Sequence, residues 1–131
     1  MQRIQLSVEI CYLDFIKIDD LGFGHQNVNL VNPFTNEYTK NIPKAWGVTV
    51  NTTHGNEVSI KHLLKSHAVD IETMESAAFI HAANALGWKA LQLRAISNLV
   101  EKRDKNKWNI PLAIANLNTA LVGLIKNIHE H

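Results

Sequence analysis

Two polar residues, Glu75 and Asn98, occupy positions from which their side chains could bind a ligand. Glu75 lies in the stretch MESAAF, with no basic residue three or four positions away to form a helical ion pair. An ionised carboxylate only accepts hydrogen bonds, so two adjacent hydroxyl groups of a ligand would suit it. The structural alternative is a first-turn glutamate that stabilises its own helix through the helix dipole. The residues alone leave both interpretations open.

Asn98 directly follows Ser97 at the end of the apolar stretch LQLRAIS. In open α/β sheets, ligands bind beyond the carboxyl ends of the strands, which is where Asn98 would lie. The alternative is an ordinary turn, because asparagine often begins a turn after a strand. Asn98 is therefore the second candidate site residue.

The hydrophobic pattern predicts the elements that position these two residues. Alternating apolar residues predict a strand over RIQLSVEICY, and residues 13–43 read as loop-rich. Further short strands are predicted at 44–52, 68–72 and 88–97, and helices at about 56–66, 74–86 and 109–128. Gly87 suits the position after a helix end, and Asn109 suits an N-cap. This order predicts one α/β domain over residues 1–131, with helices on the faces of a sheet.

Composition narrows the classes of function. The chain has 131 residues, 46% of them hydrophobic, and a formal net charge of +1. That charge gives no electrostatic case for binding a nucleic acid or a membrane surface. Cys11 is the single cysteine, so we expect inert packing, no internal disulfide and a cytoplasmic location. We also expect no segment with the ~20 apolar residues that a membrane span needs.

Metal and cofactor signatures are absent from the sequence. His62 and His67 are five positions apart, and neither belongs to an HExxH pattern or a Cys/His cluster. The stretch GFGHQN lacks the third glycine of a dinucleotide-binding loop. We therefore predict no metal and no cofactor.

Four motifs together resemble the purine nucleoside phosphorylase / nucleosidase superfamily: NTTHGNE, IETMESAAF, RAISNLVE and WNIPLAIANLN. Within it, they are most similar to the futalosine hydrolase family of the alternative menaquinone pathway. ETMESAAF or RAISN alone would be weak evidence for this family. The two motifs occur in order, about twenty residues apart, before the WNIPLAI helix. The resemblance implies a three-layer nucleoside phosphorylase/hydrolase-like α/β fold, with a mixed central sheet and helices on both faces. The chain would hold roughly the C-terminal half or more of that fold, without its N-terminal strands.

The resemblance also implies roles for individual residues. Glu75 would bind the ribose 2′- and 3′-hydroxyls, and Met74 would pack beneath the sugar. Asn98 would face the purine edge, with Ser97 beside it. Related nucleosidases that act on 6-aminopurines have aspartate at the Asn98 position. An amide can donate to a 6-oxo group and accept from a protonated N7, so Asn98 favours hypoxanthine.

Further residues are weaker candidates. Thr53 and His54 end a strand near Asn98 and could line the base pocket, although a turn role is equally open. Tyr12 and Phe23 lie in the region that, in related nucleosidases, reaches a neighbouring subunit's site, which implies a homodimer or higher homo-oligomer. We expect Arg94 to pair with a carboxylate rather than to contact substrate.

The implied reaction is hydrolysis of the N-glycosidic bond of futalosine, which releases hypoxanthine. A phosphorylase for 6-oxopurine nucleosides suits Asn98 as well. A third reading is a non-catalytic fragment that keeps the half-site for base and ribose. The water-activating carboxylate of the superfamily has no counterpart here, so we expect this chain alone to turn over poorly. The expected partner is a small purine nucleoside, without nucleic acid or membrane.

Overall fold

The computed structural model describes residues 4–11 and 27–129. Its strands are β1 (Ile4–Cys11), β2 (Asn27–Val28), β3 (Lys44–Thr49), β4 (Ile71–Thr73) and β5 (Leu93–Ala95). Its helices are α1 (Glu37–Lys40), α2 (Glu57–Ser66), α3 (Ser76–Ala85) and α4 (Ile110–His129), with a short 3-10 turn at Lys105–Lys107. The predicted α/β class and the order of the main strands and helices are confirmed. The short elements β2 and α1, within the stretch predicted as loop-rich, were not predicted.

The sheet is mixed, as the resemblance implied. β1 pairs in parallel with β3, and β3 pairs in parallel with β4. Leu6 of β1 is the partner of Lys44 in β3 and also of Leu93 in antiparallel β5. Since β3 occupies one edge of β1 at Leu6, β5 lies along the other edge. Antiparallel β2 pairs with β1 at Glu9 and Ile10.

Helices pack on both faces of β3. Val48 and Val50 cluster with Leu63 of α2. Thr49 points the other way, as alternation along a strand requires, and accepts a hydrogen bond from the backbone of Ala77 in α3. Two layers of helices thus enclose β3, which explains why Val48 is fully buried.

Local chemistry accounts for the helix ends. The side chain of Asn109 caps α4, because its Oδ1 accepts from the backbone N–H of Leu112 at 3.1 Å. Gly87 follows α3 with a φ of +66°, a left-handed conformation that glycine adopts without steric cost. Trp88 N–H donates to Ala83 and Gly87 N–H donates to Asn84, which together form a Schellman motif. Both the predicted N-cap and the predicted helix stop are confirmed.

Helix α4, with 20 residues, is the longest helix of the described part of the chain. By length and composition alone, the segment Lys105–His129 that includes it could cross a membrane, which the expectation from the sequence had excluded. It contacts β5, β1 and α1, and it buries Ala113, Ala120 and Leu124. These contacts make α4 part of the α/β fold.

Candidate active site

Glu75 is the N-cap residue of α3, yet its side chain does not cap the helix. The cap comes instead from β3, where Thr49 Oγ1 accepts from the backbone N–H of Ala77 at 3.1 Å. The Thr49 hydroxyl also lies 3.1 Å from that of Thr73 in β4. Glu75 is exposed, and no residue in the described part of the chain pairs with its carboxylate. The carboxylate is therefore not engaged in stabilising its own helix by hydrogen bonding.

Asn98 lies just beyond β5, and its amide is oriented by its two neighbours. Its Oδ1 accepts from the hydroxyl of Ser97 at 2.7 Å, and its Nδ2 donates to the carbonyl of Leu99 at 2.9 Å. A primary amide has two N–H groups and two acceptor lone pairs. Asn98 therefore retains one donor and one acceptor for a ligand.

Backbone hydrogen bonds anchor the loop that carries Asn98 at two points. The carbonyl of Ser97 accepts from the N–H of Asn109, directly before α4, at 2.9 Å. Further along, the N–H of Arg103 donates to the carbonyl of Gly55 at 3.3 Å. The loop after β5 is thus held between α4 and the loop after β3.

A cavity of about 590 Å³ lies between these two loops. Thr53, Ser97 and Asn98 all line it, so the structure brings three of the predicted site residues together. Met74 and Glu75 are exposed and are not among its described lining residues. Tyr12 and Phe23 lie outside the residues that the structure describes.

Ser76, the residue after Glu75, ties the two motifs to each other. Its hydroxyl accepts a hydrogen bond from the guanidinium of Arg94 in β5, and its carbonyl accepts from the side-chain amide of Gln92 at 3.0 Å. Arg94 therefore bonds a hydroxyl where a carboxylate was expected from the sequence. The hydrogen bond from Arg94, which lies three residues before Ser97, therefore joins the start of α3 to β5. That the side chains of Glu75 and Asn98 meet on one ligand stays a prediction.

His54 and Glu72 form a partly buried pair on the cavity wall. Glu72 Oε1 accepts from the backbone N–H of His54 at 2.8 Å, and Oε2 lies 2.5 Å from His54 Nδ1. The His54 side chain is 12% exposed and that of Glu72 only 5%. Sequence reasoning named His54 as a candidate but missed Glu72. A charged residue at the end of the apolar stretch AVDIE is the sequence signal that could have drawn attention to Glu72.

The described residues contain no cluster of three or more His, Cys, Asp or Glu side chains that could hold a metal ion. The polar groups that line the cavity are hydroxyl, amide, imidazole, indole, guanidinium, ammonium and carboxylate groups. Such groups recognise a ligand by hydrogen bonding, and an amide with a spare donor and acceptor suits a heterocyclic base.

A comparison with protein families matches residues 46–126 to the phosphorylase superfamily. Among curated proteins, the chain is 30% identical over 119 residues to a futalosine hydrolase of Acidothermus cellulolyticus, covering 84% of this chain and 48% of that protein. It is 38% identical over 63 residues to a futalosine hydrolase of Thermus thermophilus, covering 48% of this chain and 28% of that protein. The chain thus spans about half or less of the length of these relatives.

Among solved structures, the fold resembles that of 5′-methylthioadenosine nucleosidase from Arabidopsis thaliana in its apo form. The TM-score is 0.67 at 18% sequence identity, and the match covers 95% of this chain and 53% of the other. At that identity the likeness concerns the fold. It confirms the predicted nucleoside phosphorylase/hydrolase-like architecture.

Proposed function

Because the chain belongs to the phosphorylase superfamily, we propose that it provides the base- and ribose-binding part of a nucleoside N-glycosidase. The proposed substrate is futalosine and the proposed product is hypoxanthine. Two curated relatives are futalosine hydrolases, which supports both the reaction and the substrate. The observation that carries the choice of base is Asn98, whose oriented amide keeps one free donor and one free acceptor at the cavity.

The proposed chemistry follows from charge separation during cleavage of the N-glycosidic bond. The departing purine gains negative charge, and the sugar becomes similar to an oxocarbenium ion. Asn98 Nδ2 would donate to O6, and this hydrogen bond strengthens as negative charge develops on the departing base. Oδ1 would accept from the N7–H that forms when the departing base takes up a proton from water. Ser97 holds the amide in the required orientation by donating to its oxygen.

Glu75 is proposed to bind the 2′- and 3′-hydroxyls of the ribose. This role is supported by a carboxylate that the helix does not use, because Thr49 supplies the cap to α3. An anion close to the sugar also stabilises its developing positive charge. Met74 precedes Glu75 and is 47% exposed, so its side chain is free to pack beneath the sugar.

A phosphorylase for 6-oxopurine nucleosides is the second candidate. Asn98 serves it equally well, because the leaving base is the same. The two reactions differ in the acceptor of the sugar, which is water for a hydrolase and phosphate for a phosphorylase. Release of hypoxanthine in phosphate-free buffer therefore supports hydrolysis, and release only on addition of phosphate supports phosphorolysis.

The experiment has a binding arm and a turnover arm. Calorimetry with the purified chain is expected to detect binding of hypoxanthine. Adenine should bind at least about tenfold more weakly, because its polar edge would leave groups of the site unpaired. Turnover of futalosine is followed by hypoxanthine release, and we expect it to be slow for this chain alone. Binding without turnover would indicate a non-catalytic fragment, and failure to bind hypoxanthine would refute the proposal.

We further propose that the chain self-associates. Apolar side chains are exposed on α3, at its C-cap and on α4 in the described part of the chain, among them Phe79, Leu86, Leu121 and Ile125. Their burial between two copies would be favourable. Sedimentation velocity should show a dimer or larger species, and a monomer throughout the micromolar range would contradict this proposal.

A further inference from the structure

The pair formed by His54 and Glu72 is held by two hydrogen-bond contacts on the cavity wall, and it has no role in the function proposed above. Glu72 is the most buried acidic side chain in an ion pair of the described chain, with 5% exposure. Both of its oxygens face His54, one on the backbone N–H and one on Nδ1. His54 itself lines the cavity together with Asn98.

The carboxylate determines which ring nitrogen carries the proton. An ionised carboxylate can only accept, so His54 Nδ1 must be the protonated nitrogen that donates to Glu72. In the neutral imidazole, Nε2 then has a lone pair and no hydrogen. Nε2 bonds no residue in the described part of the chain. His54, which lines the cavity, therefore carries an acceptor whose identity is fixed by Glu72.

Building on the proposed function, we propose that His54 Nε2 accepts a hydrogen bond from the N1–H group of a bound 6-oxopurine, with Glu72 as its positioning residue. The chemical class follows from the acceptor. A 6-oxopurine carries hydrogen on N1, whereas a 6-aminopurine has a lone pair there. A lone pair facing another lone pair leaves both unpaired, which is costly in a partly buried site.

His54 and Asn98 would then read one continuous edge of the base. Asn98 pairs with N7 and O6. His54 pairs with N1–H, which lies next to the ring carbon that carries O6. Asn98 reads only N7 and O6 and makes no contact at N1. The tautomer of His54 is fixed by Glu72, so His54 adds to the selectivity of Asn98 a second discrimination in favour of 6-oxopurines, at N1.

The first test uses calorimetry with hypoxanthine and adenine on the purified chain and on His54→Phe. The variant keeps an aromatic ring but removes the acceptor. We expect hypoxanthine binding to weaken about tenfold, which corresponds to one lost hydrogen bond. Adenine binding should stay the same or tighten, because the variant no longer sets a lone pair against adenine N1. His62→Phe is the matched control, because His62 is an exposed histidine on α2 outside the described cavity lining.

The second test inverts the tautomer without changing the shape of the pair. In Glu72→Gln the amide oxygen can still accept from the His54 backbone, while the amide NH2 donates to Nδ1. The proton then moves to Nε2, which becomes a donor. We expect hypoxanthine to bind more weakly and adenine to bind more tightly. ¹⁵N spectra of labelled histidine should show that Nε2 of His54, in place of Nδ1, carries the proton. A variant that merely lost stability would not reverse the preference.

A third measurement needs no variant that could fail to fold. Addition of hypoxanthine to the wild-type chain should shift the ¹⁵N resonance of His54 Nε2, whereas that of His62 stays in place. Hypoxanthine binding that is unaffected by His54→Phe, with no shift at Nε2, would overturn the role of His54 and leave the proposed function standing. Absence of hypoxanthine binding to the wild-type chain would overturn both.

Discussion

The substitution Thr49→Val tests what stabilises the start of α3, and with it the role of Glu75. Valine matches the shape of threonine but removes the hydroxyl, which accepts from Ala77 N–H and contacts the Thr73 hydroxyl, each at 3.1 Å. Thr49 is 8% exposed and Ala77 is 6% exposed, so water cannot replace the lost bonds. Two hydrogen bonds of about 0.5–1.5 kcal/mol each predict a loss of about 1–3 kcal/mol in the free energy of unfolding.

Glu75→Gln is the matched control for this prediction. Its side chain is exposed and caps nothing, so we expect the free energy of unfolding to change by less than about 0.5 kcal/mol. Urea unfolding followed by circular dichroism measures both variants, and equal m-values show that the unfolded states are comparable. The opposite pattern, a stable Thr49→Val and a destabilised Glu75→Gln, would show that Thr49 does not stabilise the start of α3. Glu75 would then be a helix-stabilising residue.

The remaining predictions concern the base pocket, the sugar and the packing of α4. Asn98→Asp should shift the ratio of adenine to hypoxanthine affinity upward by about tenfold or more, and an unchanged ratio in calorimetry would remove Asn98 from the pocket. Glu75→Gln should cost about 2–4 kcal/mol of transition-state stabilisation for futalosine cleavage, measured in a form of the enzyme that is active. Unchanged kinetics would exclude a role of Glu75 at the ribose. Gly123→Ala should lose about 1–3 kcal/mol of stability, because the added Cβ would lie 2.6 Å from Tyr38 Oη. Combination with Tyr38→Leu should recover most of that loss, and additive losses would contradict the contact.

The strands and helices were largely predictable because their signals are local. The alternation along β1, the glycine after α3 and the asparagine before α4 each specify a backbone conformation within a few residues of sequence. The short elements β2 and α1 lie in a stretch rich in turn residues, where no such period exists. Their structure depends on partners far along the chain, such as Asn84, whose amide bonds the backbone at residues 29 and 31.

The candidate site was only partly predictable because its contacts join segments distant in sequence. Asn98 and Thr53 were identified from their positions at strand ends, and both line the cavity. The pairing of His54 with Glu72 and the bond from Arg94 to Ser76 each bridge 18 positions along the chain. No local pattern encodes such pairs. The capping of α3 by Thr49, a residue of another element, is of the same kind and decides how Glu75 is interpreted.

Nuclear Overhauser contacts between the chain and bound inosine show whether Asn98 and Glu75 bind one ligand. Inosine joins hypoxanthine to a ribose, so its protons report on base and sugar separately. We expect contacts from the base protons to the loop that carries Asn98 and to His54, and contacts from the ribose protons to Met74 and Glu75. Contacts of the base with any other surface, or ribose protons remote from Glu75 while the base occupies the cavity, would contradict this expectation.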